Sequence, residues 1–138
     1  MNLHATCVLI KDTGVLLRGP SGSGKSDLAL RLIDQGAVLV ADDRVLLRRE
    51  GGQLLADPPD SLAGLLEVRG LGILRFPYRA PVPVGLVIDL EEPDGIERMP
   101  EPETVSLLDK SIPLYRVTAR ETSAPIKVRL AVQQAAGF

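Results

Sequence analysis

Gly19-Pro20-Ser21-Gly22-Ser23-Gly24-Lys25-Ser26 is the stretch that decides the fold. A glycine, four variable residues and then Gly-Lys-Ser is the spacing of a P-loop, a turn that wraps phosphate. Glycine lets the backbone curl until successive amide hydrogens face one anion. Lys25 then holds the terminal phosphates as a point charge, and the Ser26 hydroxyl is placed to ligate a divalent cation. The alternative is a glycine-rich turn with a chance lysine, but the flanking pattern argues against it. Val15-Leu16-Leu17-Arg18 reads as a strand running in, and Leu28, Ala29, Leu30, Leu32 and Ile33 suit a short helix running out, ended by Asp34-Gln35-Gly36. The positive end of that helix adds to the anion site.

Upstream, Cys7-Val8-Leu9-Ile10 reads as a strand joined to the next by a turn at Asp12-Thr13-Gly14. Downstream, Ala37-Val38-Leu39-Val40-Ala41 is apolar without alternation, as expected of a strand covered on both faces. It stops at Asp42-Asp43, 17 and 18 residues after Lys25. A strand end there can present carboxylates to a metal or to a nucleophile. Adjacent strand residues point to opposite faces, so one acid should aim at the phosphates and the other at a supporting partner. His4, the only histidine, approaches the same strand ends if the first two strands pair as a hairpin, and its near-neutral pKa suits it to tune an acid or meet substrate.

Further along, Val45-Leu46-Leu47 leads into a charged turn, Arg48-Arg49-Glu50-Gly51-Gly52, that suggests a hairpin. Pro58-Pro59-Asp60 could cap a short helix carrying Leu62, Leu65 and Leu66. A strand is expected near Val68 and another over Val84–Leu90. Residues 97–103 read as a surface loop, and Ile112–Val117 and Ile126–Val132 complete the apolar set. No linker or repeat divides residues 1–138, so one domain is expected.

With 45% hydrophobic residues and only 3% aromatic, the chain builds its core from Leu, Val, Ile and Ala. A net charge of -2 without a basic run gives no electrostatic driver for nucleic-acid binding. Cys7 sits alone in an apolar run, as a buried thiol does, and His4 with Cys7 are too few ligands for structural zinc. No apolar segment approaches the roughly 18 to 20 residues that span a bilayer. Without a basic, hydrophobic start, a cytoplasmic location is expected.

Taken together, His4, the P-loop, Leu39-Val40-Ala41-Asp42-Asp43-Arg44-Val45 and Leu66-Glu67-Val68-Arg69-Gly70-Leu71-Gly72-Ile73-Leu74 resemble the catalytic domain of HPr kinase/phosphorylase, which acts on a serine of the phosphocarrier protein HPr. The last stretch is the most specific, because ordinary P-loop kinases lack it. The resemblance implies an α/β P-loop nucleotide-binding fold with a mixed, strand-rich sheet. It implies ATP and Mg2+ as cofactors, an HPr-like protein as partner, and a homo-oligomer, a hexamer in the family. It also implies that Asp43 is the general base toward serine and His4 its catalytic neighbour, with Asp42 in support. Ser26 and Glu67 would serve magnesium, and Arg98 resembles a catalytic arginine.

The resemblance covers the catalytic portion alone, beginning almost at Met1. It departs from the family after Ile73-Leu74, where this sequence is shorter, and at Ala119–Pro125, where the family's proline-, glycine- and arginine-rich loop is not recognisable. Short forms of this kind imply a regulatory role in a phosphorelay or in carbon metabolism. Two other readings stay open: an ATP-binding regulatory module without productive transfer, and a small-molecule kinase.

Overall fold

A hairpin beside a long central strand sets the architecture. The computed structural model describes residues 1–137. Its strands are β1 (Asn2–Leu3), β2 (Thr6–Ile10), β3 (Thr13–Arg18), β4 (Val38–Ala41), β5 (Val45–Glu50), β6 (Gln53–Asp57), β7 (Leu65–Val68), β8 (Gly72–Arg75), β9 (Val82–Leu90), β10 (Glu103–Leu107) and β11 (Lys110–Val117). The helices are α1 (Lys25–Asp34) and α2 (Ala124–Ala135).

Seven strands run in the order β1-β5-β6-β9-β3-β2-β4, and β11, paired with β10, joins β9 beyond the point where β6 leaves it. The small β7–β8 hairpin stands apart from this sheet. The fold is therefore α/β, a mixed and strand-rich sheet served by two helices, as the sequence led us to expect.

Side-chain alternation explains the layers. Val8, Ile10, Val15 and Leu17 face α1 and α2, meeting Leu28 and Leu32 of one helix and Val128 and Val132 of the other. Cys7, Leu9 and Leu16 face the opposite way, into a second cluster with Leu47, Leu54 and Ile112. The sheet curls to close that cluster: β4 touches β6 although three strands lie between them in the order. β9 serves both layers through a register shift against β3, where Gly14 opposes Val84 but Val15 opposes Leu86. Before the shift Val82 and Val84 face the second cluster, and after it Val87 does while Leu86 and Ile88 face the helices. A bulge changes the parity of the strand in this way.

Strand direction positions the site. β3 is parallel to β9, and β9 to β11. β2 is antiparallel to both β3 and β4, so β4 runs with β3. The carboxyl ends of β3, β4, β9 and β11 and the start of β2 thus share one edge, the usual place for ligands in open α/β sheets.

Several local expectations change. The first turn is Lys11-Asp12, with Lys11 at φ 56, and Thr13 and Gly14 already belong to β3. Arg48, Arg49 and Glu50 lie within β5, leaving only Gly51-Gly52 as the turn of the β5–β6 hairpin. The helix expected to carry Leu62, Leu65 and Leu66 is a single 3-10 turn over Asp60–Leu62; Gly64, at φ 76, breaks it and sends Leu65 and Leu66 into β7. Ile126–Val132 lies within α2. α1 ends as expected: Gly36, at φ 107, donates to the Ile33 carbonyl and Ala37 to that of Leu32, a Schellman closure.

Cys7 has no exposed surface, and burial pushes its thiol up to about 12. The thiolate is the reactive form. Iodoacetamide at pH 8 is therefore expected to leave Cys7 unmodified in the folded protein and to label it within minutes in denaturant, read by intact mass; equal labelling in both states would contradict the burial.

Candidate functional site

Residues 19–24 link β3 to α1, and their conformation is that of a cradle. Gly22 and Gly24 adopt φ 83 and 97, in the left-handed region that favours glycine. A side chain on Gly19 would stand 2.5 Å from Ser23 Oγ and 3.1 Å from its Cβ, so a larger residue there would have to displace Ser23. The Ser23 amide donates to the Pro20 carbonyl at 3.0 Å, tightening the turn that Ser21 and Gly22 complete. Ser23 Oγ is buried without a partner. α1 begins at Lys25, so its unpaired amides open toward this loop.

Lys25 is buried, and Nζ donates to the Gly19 carbonyl at 2.6 Å and the Pro20 carbonyl at 3.0 Å. Burial pulls its ammonium below the ordinary lysine value, while the carboxylates of Asp42 and Asp43 act in the opposite sense. The ammonium is thus held within the loop by peptide oxygens.

The two adjacent acids part company. Asp42, 6% exposed, accepts hydrogen bonds at Oδ1 from Thr6 Oγ1 and Ser26 Oγ, both 2.8 Å, and at Oδ2 from the Glu67 amide at 3.2 Å. Asp43 turns outward at φ 71, a conformation that aspartate tolerates better than most residues. Its Oδ1 lies 3.2 Å from His4 Nε2, with both side chains open to solvent. His4 precedes β2 and Asp43 follows β4, so the β2–β4 pairing brings them together.

Two cavities flank the loop. One, of about 540 Å³, lies among Ser21, Gly24, Leu90, Glu92, Thr118 and Arg120. The other, of about 380 Å³, is bordered by Gly24, Lys25, Ser26, Glu67 and Arg69. Glu67 is exposed on the second cavity, across from Ser26. Arg98 is exposed on the loop after the 3-10 turn Pro93–Gly95 and borders neither cavity.

Sequence reasoning passed over Thr6 and Arg120. Thr6 is a hydroxyl at the start of an otherwise apolar strand, a signal that was present. Arg120 pairs with Glu92 beside the loop only because β11 lies against β9, which no local pattern reveals.

The donor set suits magnesium. Among the described residues no cluster of three or more His, Cys, Asp or Glu could hold a metal alone. Magnesium, however, is commonly held by one or two protein oxygens plus substrate phosphates. Ser26 Oγ beside Asp42 Oδ1, next to the phosphate cradle, offers hard oxygen donors of that kind.

Comparison with known proteins agrees with this architecture. The family model for the HPr serine kinase C-terminal domain matches residues 1–132. The HPr kinase/phosphorylase of an Exiguobacterium species is 35% identical, over 86% of this chain and 42% of its own length. That of Brevibacillus brevis is 37% identical over the same shares. This chain therefore spans less than half the length of these curated relatives. The solved structure of the Hpr(Ser) kinase/phosphatase from Coxiella burnetii superposes with a TM-score of 0.86 at 28% identity, covering 99% of this chain and 96% of that one. Among the described residues no helix is long and apolar enough to cross a membrane. With the family match running over nearly the whole chain, this chain belongs to the HPr serine kinase C-terminal domain family.

Proposed function

We propose that this chain transfers the γ-phosphoryl group of ATP to a serine hydroxyl of an HPr-type phosphocarrier protein, in a regulatory role. The observation that carries the reading is the division between two neighbouring carboxylates. Asp42 is turned in to Ser26, and Asp43 is turned out to His4. Phosphoryl transfer needs these two functions, one beside the phosphates and one beside the attacking oxygen.

In this mechanism the loop amides and the start of α1 bind the β and γ phosphates, and Lys25 exchanges its carbonyl partners for phosphate oxygens. Asp42 fixes the Ser26 hydroxyl. Ser26, with Asp42 and Glu67, would hold magnesium, which when bound neutralises phosphate charge. Asp43 accepts the serine proton as the new O–P bond forms and the bond to ADP breaks. His4 donates Nε2–H to Asp43, holding the carboxylate toward the acceptor, and exchanges protons with solvent. No step is assigned to Arg98, which lies away from both cavities. The family match and the names of the two relatives support this choice of acceptor.

The carboxylates separate experimentally. Asp42→Ala strands three donors in a buried setting and is expected to cost about 3 kcal/mol in urea unfolding. Asp43→Asn, exposed and still tolerant of its positive φ, should change stability by less than about 0.5 kcal/mol. That same Asp43→Asn protein is expected to lose at least a hundredfold in phosphoserine formed on purified HPr, while binding ATP with an affinity within about threefold of wild type by calorimetry; transfer at the wild-type rate would remove the base. Lys25→Ala should weaken ATP binding at least tenfold, and an unchanged titration would sink the cradle itself.

A further inference from the structure

The arginines fall into three groups. Arg18, Arg31, Arg48, Arg116 and Arg120 each pair with a carboxylate. Arg49 and Arg129 donate to backbone or amide oxygens. Arg44, Arg69, Arg75, Arg79 and Arg98 are exposed and have no ion-pair partner among the described residues. Three of these, Arg69, Arg75 and Arg79, lie in a stretch, Arg69 to Ile88, that contains no acidic residue at all. Between them stand some of the most exposed large apolar side chains of the molecule: Leu71 at 71%, Ile73 at 69% and Tyr78 at 45%.

This ridge is anchored. The Phe76 amide donates to the Gly64 carbonyl at 2.7 Å and that of Arg79 to the Leu39 carbonyl at 3.0 Å. Tyr78 bridges Leu39 in parallel on the outer edge of β4. The backbone is fixed while the side chains stay in water, a combination that folding alone does not explain. Contiguous apolar and arginine-rich surface of this kind marks a recognition site.

Its position says what it recognises. In the β7–β8 register Ile73 lies directly opposite Glu67, so the two share a face of the hairpin, and Glu67 borders the cavity of Lys25 and Ser26. The other flank of the ridge runs along β4, the strand that ends at Asp42-Asp43. The ridge is thus continuous with the site on the side of the acceptor carboxylate.

We propose that the Leu71–Arg79 ridge is the docking surface for the protein acceptor, which meets it with an apolar patch rimmed by carboxylates around the target hydroxyl. This rests on the kinase reading. Ile73 and Tyr78 supply apolar anchors, and Arg69, Arg75 and Arg79 steer and orient an acidic rim. An anionic membrane fits the charge, but continuity with Glu67 and β4 favours a partner that also enters the site.

The test is steady-state phosphorylation of purified HPr by wild type and by the double variant R75E/R79E, with ATP binding by calorimetry and melting temperature as controls. The KM for HPr should rise about tenfold, with kcat within about twofold and ATP affinity unchanged. Wild-type KM should also climb with added salt more steeply than that of the variant. Ile73→Asn, which removes an anchor without reversing charge, should raise the same KM about fivefold, and it replaces the double variant if that protein melts early. An unchanged KM in a folded variant overturns the docking surface and leaves the kinase reading standing. Wild type that binds ATP yet forms no phosphoserine on HPr removes the acceptor and the docking surface together. Loss of binding to phosphatidylglycerol vesicles in R75E/R79E, with KM unmoved, assigns the ridge to membrane and overturns the proposal.

Discussion

The carboxylate of Asp42 ties together four elements at one point. It sits at the end of β4 and accepts from Thr6 at the head of β2, from Ser26 in the first turn of α1, and from the backbone of Glu67 on β7. A carboxylate this buried is unfavourable unless its lone pairs are satisfied, so the three donors and the acid hold one another in place. Ser26 is adjacent to Lys25, so the bond that fixes the hydroxyl also fixes where the ammonium emerges. The β7–β8 hairpin is outside the main sheet and is held by Leu66 and Val68 in the core and by this one backbone bond near the site. That bond sets Glu67 against the phosphate loop.

The sheet then determines what else can stand near that point. Four strands running the same way deliver their following loops to one edge, and β2, running the other way, delivers its preceding residues there too. His4, the phosphate loop, Asp42-Asp43, the turn at Glu91–Gly95 and the segment Thr118–Glu121 are distant in sequence and adjacent in space for this reason. Arg31 reinforces the arrangement by donating to the carbonyls of Ala119 and Glu121, which pins the segment after β11 to α1.

What the sequence revealed follows from how local each signal is. The phosphate loop, the length of α1 and its glycine stop are written in neighbouring residues, and so is the apolar run of β4 ending in two acids. The His4–Asp43 approach could be foreseen because it needs only the β2–β3 hairpin and one further pairing. Strand alternation led us to expect Asp42 and Asp43 to point different ways, but their geometry comes from a left-handed turn at Asp43, which no composition rule reveals. Leu62, Leu65 and Leu66 have helical spacing, and one glycine at position 64 overrode it. The exposure of Leu71 and Ile73 was hidden as well, since an apolar strand signal does not say that its outer face is left uncovered.

Asp43 and His4 border neither cavity beside the phosphate loop, and both are open to water. While water surrounds that pair, solvent competes for each hydrogen bond the carboxylate would accept from an acceptor hydroxyl. An enzyme for a small acceptor solves this by enclosing the substrate within its own walls. Among the described residues neither cavity beside the phosphate loop encloses this pair, and on the proposed acceptor side lies a ridge of apolar and cationic side chains. On the reading proposed, the acceptor protein supplies that enclosure: seated on the ridge, it covers the Asp43–His4 pair and excludes water from the hydroxyl it presents. Covering the pair in that way would couple recognition of the partner to the exclusion of water from the transfer.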